Sequence, residues 1–260
     1  MTLYIRETGE QHPSVLLFIH GGGVSGWMWE VHVAYFHQYH CIVPDLPGHG
    51  KSEAEECFSI DKCAEDLIDY LKTNVPNKET IVVGFSIGAQ IALEMLAKEP
   101  SLIDYAMINS AMVKPMPFIK RMVKPTALLS YPLIKNKRFS KLQAKTLFIP
   151  EDKYEQYYKE SLGLSKTILL SMLEENMSYE LPDGFKDNQS KLLVTAGEKE
   201  RSVMKDSVFE VMSKHNNCRG LILPRIGHGL PLVEPFLFCE LLEEFLEDAR
   251  SESSNFVESL

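Results

Sequence analysis

No apolar run in this chain approaches the roughly 20 residues that a helix needs to cross a bilayer, so stable membrane insertion is not expected. Cysteine is scarce: Cys41, Cys57, Cys63, Cys218 and Cys239 form no C-x-x-C pair. Zinc and thioredoxin-type sites both need such close pairs. An odd count without that spacing leaves free thiols in a reducing cytoplasm as the expectation. Basic charge is in deficit, 27 Lys and Arg against 36 Asp and Glu for a net charge of −9. A chain so balanced lacks the field that holds nucleic acid, and no such partner is expected. The opening M-T-L-Y-I-R-E-T-G-E carries charges where a secretory signal has its apolar segment. Glycine and proline, at 15 and 14 residues, are neither rich nor poor, which excludes collagen-like and low-complexity chains.

What is present is a rhythm. Short apolar runs recur at V-L-L-F-I (15–19), H-C-I-V-P (40–44), I-V-V-G (81–84), A-M-I-N (106–109), K-L-L-V-T (191–195) and L-I-L-P (221–224). Runs of this length and character suit strands buried on both faces of a parallel sheet. Residues 3–7 and 15–19 flank T-G-E-Q and predict an edge hairpin. Helical spacing appears over 61–74, over 87–99 up to Pro100, and from Pro235 to Ala249. Strand alternating with helix implies an α/β sheet with crossover helices. The last residues, 251–260, read as a frayed polar tail.

The segment G-F-S-I-G (84–88) follows one of these strands and opens a helix. A serine hydroxyl is a weak nucleophile that must be exposed, oriented and deprotonated. A tight strand-to-helix turn provides the first two, and strand-before, helix-after is the context that gives G-x-S-x-G its meaning. Ser86 is therefore the candidate nucleophile, and the N–H of Ile87 is aimed at any oxyanion forming beside it. Upstream, H-G-G-G-V-S-G-W-M-W (20–29) places three glycines after an early strand. Backbone without side chains can approach a carbonyl and donate to its developing charge, which makes Gly22 the first candidate donor and Gly23 the next. Gly21, Gly23 and Gly26 fit the spacing of G-x-G-x-x-G, a pattern of little weight on its own, and G-x-x-x-x-G-K-[ST] does not occur there, so the nucleotide reading is weak. His20 reads as an anchor of that loop, and Trp27 and Trp29 as core packing.

Taken together, H-G-G-G-V-S-G-W-M-W, D-L-P-G-H-G-K-S (45–52), G-F-S-I-G-A (84–89) and G-H-G-L-P (227–231) resemble the motifs of α/β-hydrolase-fold serine hydrolases, in the same order. The resemblance implies a mostly parallel eight-stranded sheet flanked by helices, with a helical cap inserted over the site. It implies a core domain of 1–111 and 189–250, with 112–188 as the cap. It also implies that Asp45 and His49 are structural.

His228 follows the last strand run and has glycine on both sides, which leaves its imidazole free to face a crevice. It resembles the family's catalytic histidine, the proton shuttle of a triad. The acid must come between Ser86 and His228 in the chain, just after K-L-L-V-T. There the family's usual G-x-x-D is replaced by Gly197 followed by Glu200. Glutamate is one methylene longer but can orient the imidazole. Asp206 and Glu198 remain alternatives.

The interval 112–188 breaks the strand–helix rhythm, and from Met112 to Pro150 it holds nine Lys or Arg and no Asp or Glu. In one reading its apolar residues, such as Met112, Met122, Leu129 and Leu133, pack onto the sheet while the cations face water. In the other it is a basic amphipathic lid that meets an anionic or lipid-like acyl group or a membrane surface. Pro115, Pro117, Pro125 and Pro132 oppose one long helix and favour the first. The expected activity is hydrolysis of a carboxylic ester or related acyl bond of a small hydrophobic substrate, without metal or organic cofactor. A C–C bond hydrolase or lipase, or a non-catalytic ligand-binding protein, would use the same fold.

Overall fold

A computed structural model describes residues 3–53 and 57–257. Its strands are β1 (Ile5–Thr8), β2 (Ser14–Ile19), β3 (His40–Pro44), β4 (Glu79–Phe85), β5 (Tyr105–Asn109), β6 (Lys191–Gly197) and β7 (Cys218–Leu223). They form one sheet in the order β1-β3-β2-β4-β5-β6-β7, parallel throughout except for β1. Its helices are α1 (Glu30–Tyr35), α2 (Ile60–Asn74), α3 (Ile87–Lys98), α4 (Pro117–Ser130), α5 (Lys137–Thr146), α6 (Tyr154–Gly163), α7 (Lys166–Ser178), α8 (Ser202–Lys214), α9 (Leu230–Val233) and α10 (Pro235–Val257).

All six apolar runs become strands; five are buried on both faces, and β7, at the sheet edge, is only half-buried. Along β2, Val15, Leu17 and Ile19 join the core that contains Leu67 of α2, Ile91 of α3 and Val211 of α8. Leu16 and Phe18 point the other way, into a core with Trp27, Trp29, Phe36 and Phe238. The two tryptophans are buried, as expected. The N-cap of α2 is Ser59, whose side chain accepts from Lys62 N at 3.2 Å.

Three expectations need correction. The sheet has seven strands among the described residues, not eight: the six runs and Ile5–Thr8 account for every strand. β1 and β2 do not form a hairpin. Both edges of β2 are taken by β3 and β4, so β1 pairs antiparallel with the outer edge of β3, Ile5 opposite Pro44. The frayed tail begins as helix, since α10 runs through Val257, and residues 258–260 lie outside the described residues.

Between β5 and β6 the chain makes α4 to α7, with short 3-10 segments between α4 and α5, between α5 and α6, and after α7. Pro125 sits inside α4 instead of ending it, while Pro117 and Pro132 stand at the starts of helical turns. Ile168 and Met172 of α7 are buried against the α3 side of the sheet. Met122, Leu129, Leu133 and Leu142 remain exposed, so the packing reading holds for only part of this segment.

The sheet order also locates a crevice. From β2 the chain first adds β3 on one side and then crosses to add β4 on the other. Loops leaving the carboxyl ends of β2 and β4 therefore diverge at a topological switch point, where open α/β sheets bind ligands.

Candidate active site

Ser86 stands at that switch point. It leaves β4 and enters α3 with φ +55° and ψ −117°, a left-handed conformation that few non-glycine residues adopt. The surrounding structure enforces it: Ser86 N donates to Asn109 O at 2.9 Å, and Ser86 O accepts from Ala89 N at 3.0 Å. The turn is tight enough that a Cβ on Gly84 would lie 2.5 Å from Gly88 O. One on Gly88 would strike the carbonyl oxygens of Ile19 and His20. Both glycines of the motif are thus required by close backbone approach.

The parallel register then carries the other side chains to the same edge. Phe85 is opposite Asn109, Asn109 opposite Thr195, and Gly197 opposite Leu223, so the residues that follow these strands converge. His228 Nε2 lies 3.1 Å from Ser86 Oγ, and its Nδ1 lies 2.7 Å from Glu200 Oε2. The second carboxylate oxygen, Oε1, accepts from Gly197 N at 2.7 Å and from Ser110 Oγ at 2.8 Å. Burial pushes the Glu200 carboxyl up, but the hydrogen bond and charge of His228, with the donors Gly197 N and Ser110, hold it below the usual glutamate value. Of the three candidate acids only Glu200 touches His228. Glu198 is exposed, with Oε2 accepting from Arg225 N at 2.8 Å, and Asp206 is exposed on α8.

Gly22 and Ile87 are neighbours: a Cβ on Gly22 would sit 3.8 Å from Ile87 Cγ2. Neither backbone N–H has a partner among the described residues. Gly23 is different, because its N–H donates to His49 Nε2 at 3.2 Å and is therefore already satisfied. The expectation that Gly23 could serve as a second donor is corrected on that ground. His49 Nδ1 in turn donates to Pro47 O at 3.0 Å. His20 bridges its own loop to the next: Nε2 accepts from Leu46 N at 2.8 Å, so the ring proton is on Nδ1 and donates to Gly21 O. Burial, with His49 beside it, lowers the His20 pKa to about 3. It is a neutral brace. Asp45 accepts from Gly26 N and Lys51 N, each at 2.8 Å, and likewise ties loops together.

Ser110 was not legible in the sequence. It lies just past β5 with φ +56°, and its role follows only from β5 pairing with β6. Beside Ser86 and His228 opens a cavity of about 650 Å³, walled mainly by apolar side chains such as Met112, Met116, Met177, Met204 and Val233. Among the described residues, no group of three or more His, Cys, Asp or Glu side chains is arranged to hold a metal ion. A hydroxyl on an imidazole, an imidazole on a carboxylate, and two free N–H groups can activate an oxygen nucleophile and hold an oxyanion.

Known proteins share this architecture. The chain resembles a thermophilic esterase from Thermogutta terrifontis with a TM-score of 0.76 at 17% identity, covering 95% of this chain and 93% of that one. In sequence it is 33% identical over 104 residues to an AB hydrolase superfamily protein of Gibberella zeae, covering 39% of this chain and 36% of the relative. It is 28% identical over 127 residues to a pimeloyl-[acyl-carrier protein] methyl ester esterase of Nitrosospira multiformis, 46% of this chain and 45% of the relative. Both sequence matches span less than half of the relative's length. A profile of the alpha/beta hydrolase family matches residues 16–241. With that match running from the second strand to the last helix, the chain belongs to the alpha/beta hydrolase family.

Proposed function

We propose that the chain is a serine hydrolase that cleaves a carboxylic ester, or a related acyl bond, through an acyl-enzyme on Ser86. The observation that carries this reading is the unbroken relay from Ser86 Oγ to His228 at 3.1 Å and from His228 to Glu200 at 2.7 Å. Ser86 Oγ attacks the carbonyl carbon while its proton passes to His228 Nε2. The carbonyl π electrons move onto oxygen, where the N–H groups of Gly22 and Ile87 meet the new charge. Glu200 holds the proton on Nδ1 and stabilises the imidazolium. Collapse expels the leaving alkoxide, which takes the proton from Nε2. A water then repeats the sequence: it gives its proton to His228, its oxygen bonds the acyl carbon, and Ser86 recovers its hydroxyl.

In this reading residues 112–188 act as a cap over a core of 1–111 and 189–250. The apolar, methionine-lined cavity takes the acyl group, of short to medium length. The esterase likenesses point the same way. The test is turnover of p-nitrophenyl acyl esters of increasing length, with Ser86→Ala as the blank, together with a fluorophosphonate probe. One adduct on the peptide containing Ser86, absent in the alanine variant, supports the proposal. Labelling or turnover that survives Ser86→Ala unchanged refutes it.

A further inference from the structure

The helix α5 ends in a way that its sequence does not favour. Ile149 N donates to Ala144 O and Leu147 N to Gln143 O, each at 2.9 Å, which closes the last turn over Phe148. In such an ending the residue at this position turns left-handed and is usually glycine. Here it is a phenylalanine with φ +59°. A bulky side chain held there is strained, and such strain persists where the surroundings over-determine it. Core burial does not account for it, because Phe148 stays 38% exposed.

Its neighbours do. A Cβ on Gly229 would lie 2.5 Å from both Cβ and Cγ of Phe148, and a Cβ on Gly227 would lie 3.4 Å from its Cζ. The phenylalanine therefore occupies the space that a side chain at 229 would fill and lies within contact distance of one at 227. Between those two glycines stands His228. The sequence suggests that G-H-G leaves the imidazole open, yet in the structure Phe148, from the segment between β5 and β6, fills the space at Gly229 and borders Gly227.

We propose that Phe148 is a positioning residue: seated on both glycines that flank His228, it holds the imidazole in line with Ser86 and Glu200. It thereby makes that alignment depend on where the α4–α7 segment sits. This rests on the reading of Ser86 and His228 as nucleophile and base. A displacement of that segment would take Phe148 off the His228 loop, and the relay would lose its register.

The experiment uses the full chain and p-nitrophenyl acetate, whose acyl group is too short to fill the cavity. Wild type against Ser86→Ala first establishes serine-dependent turnover, and its absence would remove the hydrolase reading itself. Given that turnover, Phe148→Gly should lower kcat at least tenfold, change KM less than twofold, and leave Tm unchanged or raised, since glycine suits the left-handed position. Phe148→Leu, which keeps an apolar branch over the glycines, should lose threefold to tenfold. Gly229→Ala, which pushes Phe148 and the loop apart, should show the same loss in kcat. A wild-type kcat in Phe148→Gly overturns the inference. So does a kcat that falls only with the folded fraction, or an effect confined to KM for longer acyl chains.

Discussion

Glu200 illustrates how little separates a carboxylate that holds an imidazole from one that faces solvent. Three carboxylates lie within nine residues, at 198, 200 and 206, and their chemistry is the same. Only Glu200 folds inward, 9% exposed, onto Gly197 N, Ser110 and His228. Replacing it with glutamine keeps the shape but removes the charge opposite the imidazolium and upsets the tautomer. Glu200→Gln should stay folded, by circular dichroism and melting, and lose about 10²–10⁴ in kcat. Glu198→Gln and Asp206→Asn should each lose less than about tenfold, as exposed substitutions do. Ser110→Ala removes one donor from the ionised carboxylate, a hydrogen bond to a charged group worth about 1.5–3 kcal/mol, but leaves the charge and the bond to His228 in place. Its kcat should drop about tenfold, short of Glu200→Gln. Equal losses in the two would mean that Ser110 has a separate part in the chemistry.

At the scale of elements, the turn from β4 to α3 was readable from G-F-S-I-G alone, because its constraint is local. The two glycines answer backbone atoms on the facing loop and within the turn itself. Gly88→Ala should cost about 1–3 kcal/mol in urea denaturation, as overpacking against fixed backbone does. It should also reduce fluorophosphonate labelling of Ser86, since the two loops can separate only by moving the hydroxyl. A Cβ on Gly163, at the end of α6, would meet no atom within 4 Å beyond its own helix and chain neighbours, so Gly163→Ala serves as the control that should lower neither stability nor labelling. The hairpin expected from residues 3–19 was the opposite case. Adjacency in sequence suggested pairing, but β2 had stronger partners on both sides.

At the scale of the whole molecule, acid should be the weak direction. Burial lowers His32 to about 3, and burial with His49 beside it lowers His20 to about 3. In the unfolded chain both titrate near 6.5, so between about 6.5 and 3 the unfolded state binds more protons and stability rises with pH. Going from pH 6.5 to 5, the two together withdraw up to roughly 4 kcal/mol. Glu200, depressed in the folded state, adds stability above its ordinary value that is lost as pH falls through the lowered one. The clean test is His32. Among the described residues neither ring nitrogen has a hydrogen-bond partner, and the ring stacks edge-on with Trp29 at 4.8 Å and Phe238 at 5.1 Å. His32→Phe should raise Tm at pH 5 more than at pH 7.5, flattening the slope by one proton. A slope unchanged from wild type would mean that His32 is protonated inside the fold.

The sequence by itself determined what depends on near neighbours in the chain. The buried strands follow from unbroken apolar runs, the tight turn from β4 to α3 from glycines two residues either side of Ser86, and the open backbone after β2 from H-G-G-G. Charge balance and cysteine spacing, which are sums over the chain, were equally open to reading. Tertiary structure alone decided the contacts made across the sheet, because register and loop curvature set which distant atoms meet. It chose Glu200 over Glu198 and Asp206, brought Ser110 to its second oxygen, and gave the Gly23 N–H to His49. It also set Phe148, eighty residues earlier in the chain, into the space at Gly229 beside His228, a contact that no local pattern could announce.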